Sequence, residues 1–498
     1  MKTCIVALDL GTTSCRALVF DLEGQVLAQA SRGYPLHTPR PGWAEQDAAE
    51  LLAAADAVVP EAVQAAGGDN ISVLGIVLCT YMHSLVAMDR DGRCLTPVIT
   101  WADTRSAAQV DAVRARDDWR ELYARTGCPP HTMYPLYKFL WFRQHQPDLL
   151  RSAYRFASIK DLLLQHWTGH WALDYNLATG TGMLNNTRLD WDEPALEMAG
   201  VSRAQLPPVV PNVQTFPLRP GRLGLKEGTP VVAGAGDGVL SSLGCGAIEP
   251  NVAAAMVGTS GAVRACVPAP TVDPKARVFC YYLDKNRWIL GGSLNNGGIA
   301  LRWFRDKFYP GAREYDEVLS EAAEVPAGAG SLMFLPYLAG ERSPGFNGRA
   351  RGVWFGLGLE HGRSHMARSV LEAVAYRLYS VLGPIEELTG PAREIRATGG
   401  FARSPFWLQI CADVFGREVV VPDQAEGSAL GAFVLGAVAL GAAPDLSWVH
   451  RFVSLGQTRH PDPGNHHLYS ELFAIYQRVN SKLQDEYYAL ARIRERGV

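Results

Sequence analysis

Residues 3–20 read TCIVALDLGTTSCRALVF, which is an apolar run of strand length, a glycine turn that follows Asp9, and a second apolar run. This pattern predicts two antiparallel strands joined by a turn at residues 11–14. Residues 252–267 read VAAAMVGTSGAVRACV and repeat the arrangement, with the turn at 258–261. A partial internal repeat of this kind predicts two similar lobes.

The patterns outside the repeat favour α/β lobes, because strand-like and helix-like segments alternate. Short apolar runs that predict strands lie at 25–30, 73–78, 84–88, 231–235, 277–283, 287–290 and 395–397. Patterns that predict helices lie at 47–66, 364–388, 405–415 and 428–440, and the segment 103–187 is mostly helical. We therefore predict an α/β fold with two domains, residues 1–245 and 246–498.

Composition excludes several classes of protein. The 498 residues are 48% hydrophobic and 19% charged, which is typical of a folded globular chain. The net charge of −3 gives no reason to expect nucleic acid as a partner. The longest apolar stretch, 429–443, is too short to span a membrane. Nine scattered cysteines without a C-x-x-C pair indicate neither disulfides nor zinc, and favour a reducing cytoplasm.

Asp9 and the turn after it are the first candidate site. Backbone N–H groups in a glycine turn bind anions, and the hydroxyl side chains of Thr12 and Thr13 add donors. The Asp9 carboxylate is a suitable ligand for Mg²⁺. An ordinary hairpin turn is the alternative. The second copy, with Gly258 and Thr259, favours two turns that grip a polyphosphate from both sides.

Asp237 is the second candidate, because it follows a strand and lies among glycines in GAGDG, residues 234–238. Such an acid can accept a proton from a hydroxyl nucleophile. The alternative is a cap for the helix that starts near Val239.

Three further motifs complete the candidates. Met82-His83 and the segment Trp101 to Arg105 suit a polyol, although a lone histidine is more often structural. The glycine pair in TGGFARS, residues 398–404, permits close approach of a nucleotide, and a plain loop is its alternative. The pair His361 and His365 lacks a credible third ligand for zinc, and no Walker or G-x-G-x-x-G motif occurs.

Taken together, these motifs resemble the FGGY family of carbohydrate kinases over about residues 3–445. The motifs that match in order and spacing are DLGTTS (9–14), MH (82–83), GDG (236–238), GTSG (258–261), GG (399–400) and ALGA (429–432). Within the family, the stretches YPLHTP (34–39), PGWAEQD (41–47), NNGG (295–298) and ATGGFARS (397–404) look most like gluconate kinases, and xylulose kinases are next.

The resemblance implies two ribonuclease-H-like lobes of the actin/hexokinase superfamily, which close around ATP and a sugar. Asp237 would be the catalytic base, and Asp9 would organise Mg²⁺. The sugar pocket would be lined by Met82, His83, Trp101, Asp103, Arg105 and Gly238. The residues toward ATP would be Gly11, Thr12, Thr13, Arg16, Gly258, Thr259, Gly298, Arg302, Gly400, Phe401 and Ser404. Arg302 stands where glycerol kinases carry Gln, and Gly238 where xylulose kinases usually carry Asn.

The expected activity is ATP-dependent phosphorylation of the terminal hydroxyl of D-gluconate to 6-phosphogluconate. Xylulose or another pentulose or polyol is the alternative substrate. A non-catalytic sugar sensor and an actin-like ATPase are alternatives of another class. For the carboxylate of gluconate, Arg105 is the first candidate partner and Lys138 the second, whereas a solvated Arg105 is the alternative. The last helix, around Leu468 to Val479, packs on a lobe or on a second copy, so a homodimer is among the expected assemblies.

Overall fold

Two mixed β-sheets form the cores of two lobes in the computed structural model, which describes residues 1–311, 314–423 and 427–495. The first sheet contains β1 (Lys2–Leu10), β2 (Ser14–Asp21), β3 (Val26–Gly33), β4 (Ile71–Thr80), β5 (Thr215–Pro217) and β6 (Pro230–Gly236). The second contains β7 (Val252–Val257), β8 (Gly261–Val267), β9 (Phe279–Asp284), β10 (Arg287–Leu294), β11 (Glu394–Gly399), β12 (Glu418–Pro422) and β13 (Leu455–Arg459).

The two sheets share their central topology, and the second has one more strand at its edge. Their strand orders are β3-β2-β1-β4-β6-β5 and β9-β10-β8-β7-β11-β12-β13. In each sheet the strand–turn–strand pair is antiparallel. The first strand of the pair is parallel to the next strand, β4 or β11, and that strand is parallel to a further one, β6 or β12. The internal repeat read from the sequence is therefore a repeat of the fold.

Helices cover both faces of these sheets, and short strands lie in the loops. The α-helices are Ala48–Ala65, Ala107–Arg114, Trp119–Thr126, Pro135–His145, Pro147–Ser152, Ile159–Thr168, Tyr175–Thr179, Glu193–Ala199, Asp237–Gly244, Gly298–Phe308, Asp316–Ala323, Arg363–Thr389, Pro405–Phe415, Gly427–Ala439, Pro463–Lys482 and Gln484–Glu495. The short strands are Glu45–Gln46, Val86–Met88, Val98–Ile99, Arg155–Ala157, Leu173–Asp174, Leu184–Asn185, Asp190–Trp191, Val209–Val210, Met333–Leu335 and Val353–Phe355.

The apolar run of β1 is explained by its central position in the first sheet. Every residue from Cys4 to Leu10 is buried, because helices pack on both faces. Val6 and Leu8 face the helix Ala48–Ala65, whereas Ile5 and Ala7 face the other side of the sheet. Asp9 is thus a carboxylate at the end of a fully covered strand, next to the turn.

The helix Gly427–Ala439 belongs to the second half of the sequence but packs on the first sheet. Phe433 stacks on Phe20 of β2 with ring centroids 4.9 Å apart. A Cβ atom on Gly431 would lie 2.0 Å from the carbonyl oxygen of Leu240, so only glycine permits this close contact between two helices. The core of the first lobe therefore includes residues from both halves, and the division at residue 245 stays a prediction.

The helix Pro463–Lys482 packs on the second lobe. Its Tyr469, Leu472 and Tyr476 are buried in the core of that lobe. Within the part of the chain that the structure covers, no helix combines the length and the apolarity that a membrane span requires.

Candidate active site

A cavity of about 340 Å³ lies between the lobes, at the ends of β1, β6 and β8. The first lobe contributes Thr12, Tyr81, Met82, His83, Trp101, Asp237 and Gly238 to its wall. Residues that come later in the chain include Met256, Ser260, Gly261, Arg264, Phe279, Tyr281, Ser293, Arg342 and Ser428. This size suits a small organic ligand, and the lining combines aromatic rings with a few charged groups.

Asp237 is the acid in this wall. The strand β6 ends at Gly236, and Asp237 is the first residue of the following helix. Its Oδ1 accepts a hydrogen bond from the Gly238 N–H at 2.6 Å, and Gly236 occupies the N-cap position. Burial raises the pKa of Asp237 to about 6, and the nearby negative charge of Asp9 adds to this effect. A carboxylate with this pKa is well matched to accepting a proton at neutral pH.

Asp9 lies next to the cavity and is held by three donors. Its Oδ2 accepts from Arg16 Nη2 at 2.8 Å and from Ser428 Oγ at 2.9 Å. Among the described residues, the one donor to its Oδ1 is the weak thiol of Cys79, at 3.5 Å. In the described ranges no three His, Cys, Asp or Glu side chains form a ready-made metal site. Asp9 therefore offers one weakly occupied carboxylate oxygen rather than a complete set of ligands.

The first turn is fixed by side chains from its own lobe. Trp101 Nε1 donates to Thr12 Oγ1 at 2.9 Å, and Gln46 Nε2 donates to the Thr12 carbonyl oxygen at 2.8 Å. The Tyr34 hydroxyl donates to the Gly11 carbonyl oxygen at 2.5 Å. Because Thr12 Oγ1 accepts from Trp101, its own O–H points elsewhere and remains a donor for a ligand. The neighbouring Thr13 is exposed.

The second turn is fixed by backbone instead. The N–H of Gly298 donates to the Gly258 carbonyl oxygen at 2.7 Å, and the N–H of Ile299 donates to the Thr259 carbonyl oxygen at 3.1 Å. A Cβ atom on Gly298 would lie 2.6 Å from that Gly258 oxygen. Gly399, at φ +92°, lies against the Val257 carbonyl in the same way, and Gly400 follows it. The structure thus brings three glycine motifs together at the end of β7.

His83 combines a structural contact with a place in the cavity wall. It has a left-handed backbone with φ 69°, which is costly for a non-glycine residue. Its Nδ1 lies 2.7 Å from the Gly180 carbonyl oxygen, and burial lowers its pKa to about 3. The ring is neutral, with its proton on Nδ1, so that Nε2 is an acceptor.

Two family descriptions match this chain: the N-terminal domain of the FGGY family of carbohydrate kinases over residues 4–244, and the C-terminal domain of the same family over residues 253–440. The gluconokinase of Bacillus subtilis (strain 168) is 38% identical over 505 residues, covering 99% of this chain and 98% of that protein. The chain belongs to the FGGY family of carbohydrate kinases.

Solved structures agree with this membership. The crystal structure of gluconate kinase from Lactobacillus acidophilus matches with a TM-score of 0.94 and 34% identity, covering 98% of this chain and all of that one. A ligand-bound xylulose kinase from the same organism gives the same values. The predicted family and the predicted two-lobed fold are confirmed, and the relatives are named for two different sugars.

Two residues predicted to lie in the sugar pocket of this FGGY kinase are directed away from the cavity. Asp103 is fully buried and accepts from the Ala44 N–H at 2.8 Å and from Arg105 Nη2 at 2.8 Å. Arg105 also donates to Glu45 Oε1 at 2.5 Å and lies 3.6 Å from the ring centroid of Trp43. Its Nε and Nη2 donate to two acids, so the structure does not support Arg105 as the partner of a substrate carboxylate.

Lys138, the other cation considered for this role, binds the backbone at His83 instead. Its Nζ donates to the carbonyl oxygens of His83, at 2.5 Å, and Met133, at 3.1 Å. Burial lowers its pKa to about 7.

The residues predicted to lie near the nucleotide are not all open to a ligand. Phe401 is 2% exposed and packs edge-to-face on Trp407, so it belongs to the core rather than to an open site. Ser404 caps the next helix, because its Oγ accepts from the Trp407 N–H at 3.2 Å. Arg302 is exposed on the helix Gly298–Phe308, and Arg16 pairs with Asp9.

Two arginines in the cavity wall of the kinase were missed by the sequence analysis. Arg264 lies on β8, and Arg342 lies in the loop after Leu335. A signal existed for Arg264, since it is the single charge inside the apolar run GAVRACV. Arg342 stands in a loop among polar residues and gave no comparable signal.

Proposed function

We propose that this kinase transfers the γ-phosphoryl group of ATP to the terminal hydroxyl of D-gluconate and so produces 6-phosphogluconate. The observation that carries the proposal is Asp237, a half-buried carboxylate with a raised pKa in a cavity between the two turns. The choice of gluconate rests on the gluconokinase relative and on the cationic side chains in the cavity wall.

In the proposed reaction, the Asp237 carboxylate accepts the hydroxyl proton while the hydroxyl oxygen attacks the γ-phosphorus. The new O–P bond forms as the bond from the γ-phosphorus to the bridging oxygen breaks, and ADP leaves. Phosphoryl transfer has a loose transition state, so alignment and charge neutralisation provide most of the rate enhancement. The Thr12 and Thr259 hydroxyls are donors for the phosphate oxygens in this scheme.

Magnesium fits the residues at the end of β1. Mg²⁺ prefers hard oxygen ligands and retains several waters, so one weakly occupied oxygen of Asp9, together with the phosphates, suits it. When bound, it would neutralise charge on the phosphoryl oxygens. Ser428 and Arg16 orient the Asp9 carboxylate through its other oxygen.

The two alternatives of another class fit these residues less well. A non-catalytic sensor needs no base, yet Asp237 is present with a raised pKa. An actin-like ATPase needs no polyol pocket, and the cavity that Met82, His83 and Trp101 line supports one here. The nine cysteines, all in the described part of the chain, are free thiols, which supports the proposed cytoplasmic location. A homodimer stays a prediction.

The test is ADP release from Mg·ATP with purified enzyme, without sugar and with gluconate, xylulose, ribulose, glycerol or fuculose. We expect release that depends on sugar and is fastest with gluconate. Release without sugar would indicate an ATPase, and no release with any sugar would indicate a sensor. A clear preference for xylulose would overturn gluconate and keep the kinase assignment.

A further inference from the structure

We infer that Arg264 and Arg342 form a carboxylate subsite, which holds an acyclic sugar acid with its carboxylate toward Arg342 and its far hydroxyl at Asp237. This inference rests on the proposed function, because it assigns one end of the same substrate. It specifies how the cavity distinguishes an acid from an uncharged sugar of the same length.

The two guanidinium groups are buried in the wall of one cavity. Arg264 is 9% exposed and Arg342 is 8% exposed. Burying a cation without a counter-charge is costly, so buried arginines normally pair with carboxylates. Elsewhere in this chain that rule holds, as in the pair Arg377–Glu341 at 2.6 Å.

Neither of these two arginines has such a partner. Across residues 1–311, 314–423 and 427–495, no carboxylate lies within salt-bridge distance of Arg264 or Arg342, and Glu341, the neighbour of Arg342, is used by Arg377. Arg342 donates through Nη2 to the Leu294 carbonyl oxygen at 2.9 Å, while its buried Nε has no acceptor in the described part of the chain. The wall therefore contains unused, charged donors, which is the property of an anion site.

The two cations also act on each other. Burial lowers the pKa of Arg342 to about 10, and the charge of Arg264 contributes to the same direction. Burial lowers the pKa of Arg264 as well, whereas the charge of Asp237 opposes that shift. A bound carboxylate would relieve the repulsion between the two guanidinium groups, and an uncharged ligand would not.

The neighbours of the two arginines give the direction of the substrate. Arg264 is the cation that acts on Asp237, and a Cβ atom on Gly238 would lie 2.7 Å from Arg264 Nη2. Arg342 lies 5.0 Å from the ring centroid of Trp101, and its charge acts on His83. We take the order across the cavity to be Asp237, Arg264, Arg342, because Asp237 acts on Arg264 and Arg264 acts on Arg342. A chain with its reacting hydroxyl at Asp237 extends toward Arg342.

The Arg342 guanidinium is pre-positioned, and Arg264 has room beside Gly238. The Trp101 ring and the Leu294 carbonyl hold Arg342, and the absence of a side chain at Gly238 leaves room for Arg264. A planar guanidinium that is already fixed loses little freedom when it binds a carboxylate in a bidentate manner.

The first experiment compares gluconate with D-glucitol, which has the same carbon chain and no charge. For Arg342→Gln we expect kcat/KM with gluconate to fall about 10- to 100-fold, the scale of a lost charge-assisted hydrogen bond. With glucitol we expect a change below about threefold. Arg342→Lys should recover part of the loss, because the charge is restored. Arg93→Gln, at an exposed arginine, is the matched control and should change neither value.

Equal losses for both substrates, or no loss with gluconate, would overturn the subsite while gluconate turnover by the wild type keeps the proposed function. Absence of gluconate turnover in the wild type would instead refute the proposed function. Thermal unfolding and binding of a non-hydrolysable ATP analogue show whether Arg342→Gln remains folded.

Two further measurements do not depend on that variant. Calorimetry on the wild type should show gluconamide, the neutral isostere, binding at least about tenfold more weakly than gluconate. Gly238→Ala, at a helical position where alanine is favoured, should displace the end of Arg264 and weaken gluconate more than glucitol. Equal affinities for gluconate and gluconamide would overturn the subsite.

Discussion

The two strand–turn–strand units have the same backbone arrangement but differ in the charged side chains that they carry. Asp9 of β1 pairs in register with Arg16 of β2. At the equivalent place in the second lobe, Met256 of β7 pairs with Ala262 of β8. The second lobe carries its charge farther along, at Arg264. The first lobe therefore contributes acids, Asp9 and Asp237, and the second lobe contributes a cation, Arg264. Two copies of one fold thus provide opposite charges for one cavity.

The turns also differ in what holds them. The first turn is held by the side chains of Tyr34, Gln46 and Trp101 in addition to the Tyr34 N–H, whereas the bonds given for the second turn come from the backbone of Gly298 and Ile299. Substitutions in the first lobe should therefore change activity through loss of an acid or of a side-chain contact. Substitutions in the second lobe should change activity through the shape of the turn.

The largest effect is expected for Asp237→Asn, which removes the acid from the first side of the cavity. Turnover should fall about 10²- to 10⁴-fold, the usual contribution of a positioned general base, while ATP affinity is kept. The variant should also unfold at a higher temperature at pH 7. The folded pKa of about 6 exceeds the usual value of 3.8, so ionisation of Asp237 destabilises the native state as pH rises through this interval.

Steady-state kinetics check the loss of turnover of Asp237→Asn, and thermal unfolding at pH 4 and pH 7 checks its change in stability. The gain in stability should vanish at pH 4, where Asp237 is largely protonated in the folded state. Near-normal turnover with sugar would remove Asp237 from the mechanism.

Asp9→Asn tests whether the acid of the first repeat serves the metal. The Mg²⁺ concentration for half-maximal rate should rise about 10- to 100-fold, a typical cost of altering the surroundings of a metal. Gluconate affinity measured by calorimetry should be retained. Met256→Leu, at the equivalent position of the second repeat, should leave the Mg²⁺ requirement within about twofold. Lost sugar affinity with an unchanged Mg²⁺ requirement would contradict the assignment.

The dependence of rate on pH links the two acids. With Asp237 as base, kcat/KM should rise about tenfold per pH unit below its pKa of about 6 and level off above it. Because the charge of Asp9 raises that pKa, Asp9→Asn should move the midpoint to lower pH. Initial rates from pH 4.5 to 8 at saturating ATP measure both. A flat profile across this interval is the opposing outcome.

The smallest effect is expected in the second turn. Thr259 is exposed at the end of β7, and Thr259→Ala should raise the KM for ATP about 2- to 10-fold through loss of one hydrogen bond. The KM for gluconate should not change. Thr12→Ala should affect both substrates, since it also releases Trp101, which lines the cavity. Identical behaviour of the two variants would show that the turns are equivalent.

The fold was predictable because it is encoded in local patterns. Apolar runs such as Cys4 to Leu10 mark strands covered on both faces, and the repeat at 252–267 marks the second lobe. Asp237, Met82, His83 and Trp101 were recognisable for a similar reason, since each lies in or beside a short motif at a strand end. The structure places all four in one cavity.

The cations were not predictable in this way, because their roles depend on distant partners. Arg105 is close in sequence to Trp101, yet Asp103 and Glu45 bind its guanidinium outside the cavity. Arg264 and Arg342 matter because, among the residues that the structure describes, no carboxylate lies within salt-bridge distance of either, and this is a property of the folded chain rather than of a motif. The burial of Phe401 is likewise set by its packing on Trp407.

The placement of the helix Gly427–Ala439 has a consequence for synthesis of the chain. Phe433, and then Val449 and Phe452 beyond this helix, belong to the core around β1 and β4, which come much earlier in the chain and are synthesised before them. The first lobe therefore lacks part of its apolar interior until the strands of the second sheet and the helix Gly427–Ala439 have also been synthesised. The first strands to be synthesised are the longest without the apolar side chains that cover them. The first sheet is therefore the part of the nascent chain that most needs protection from aggregation.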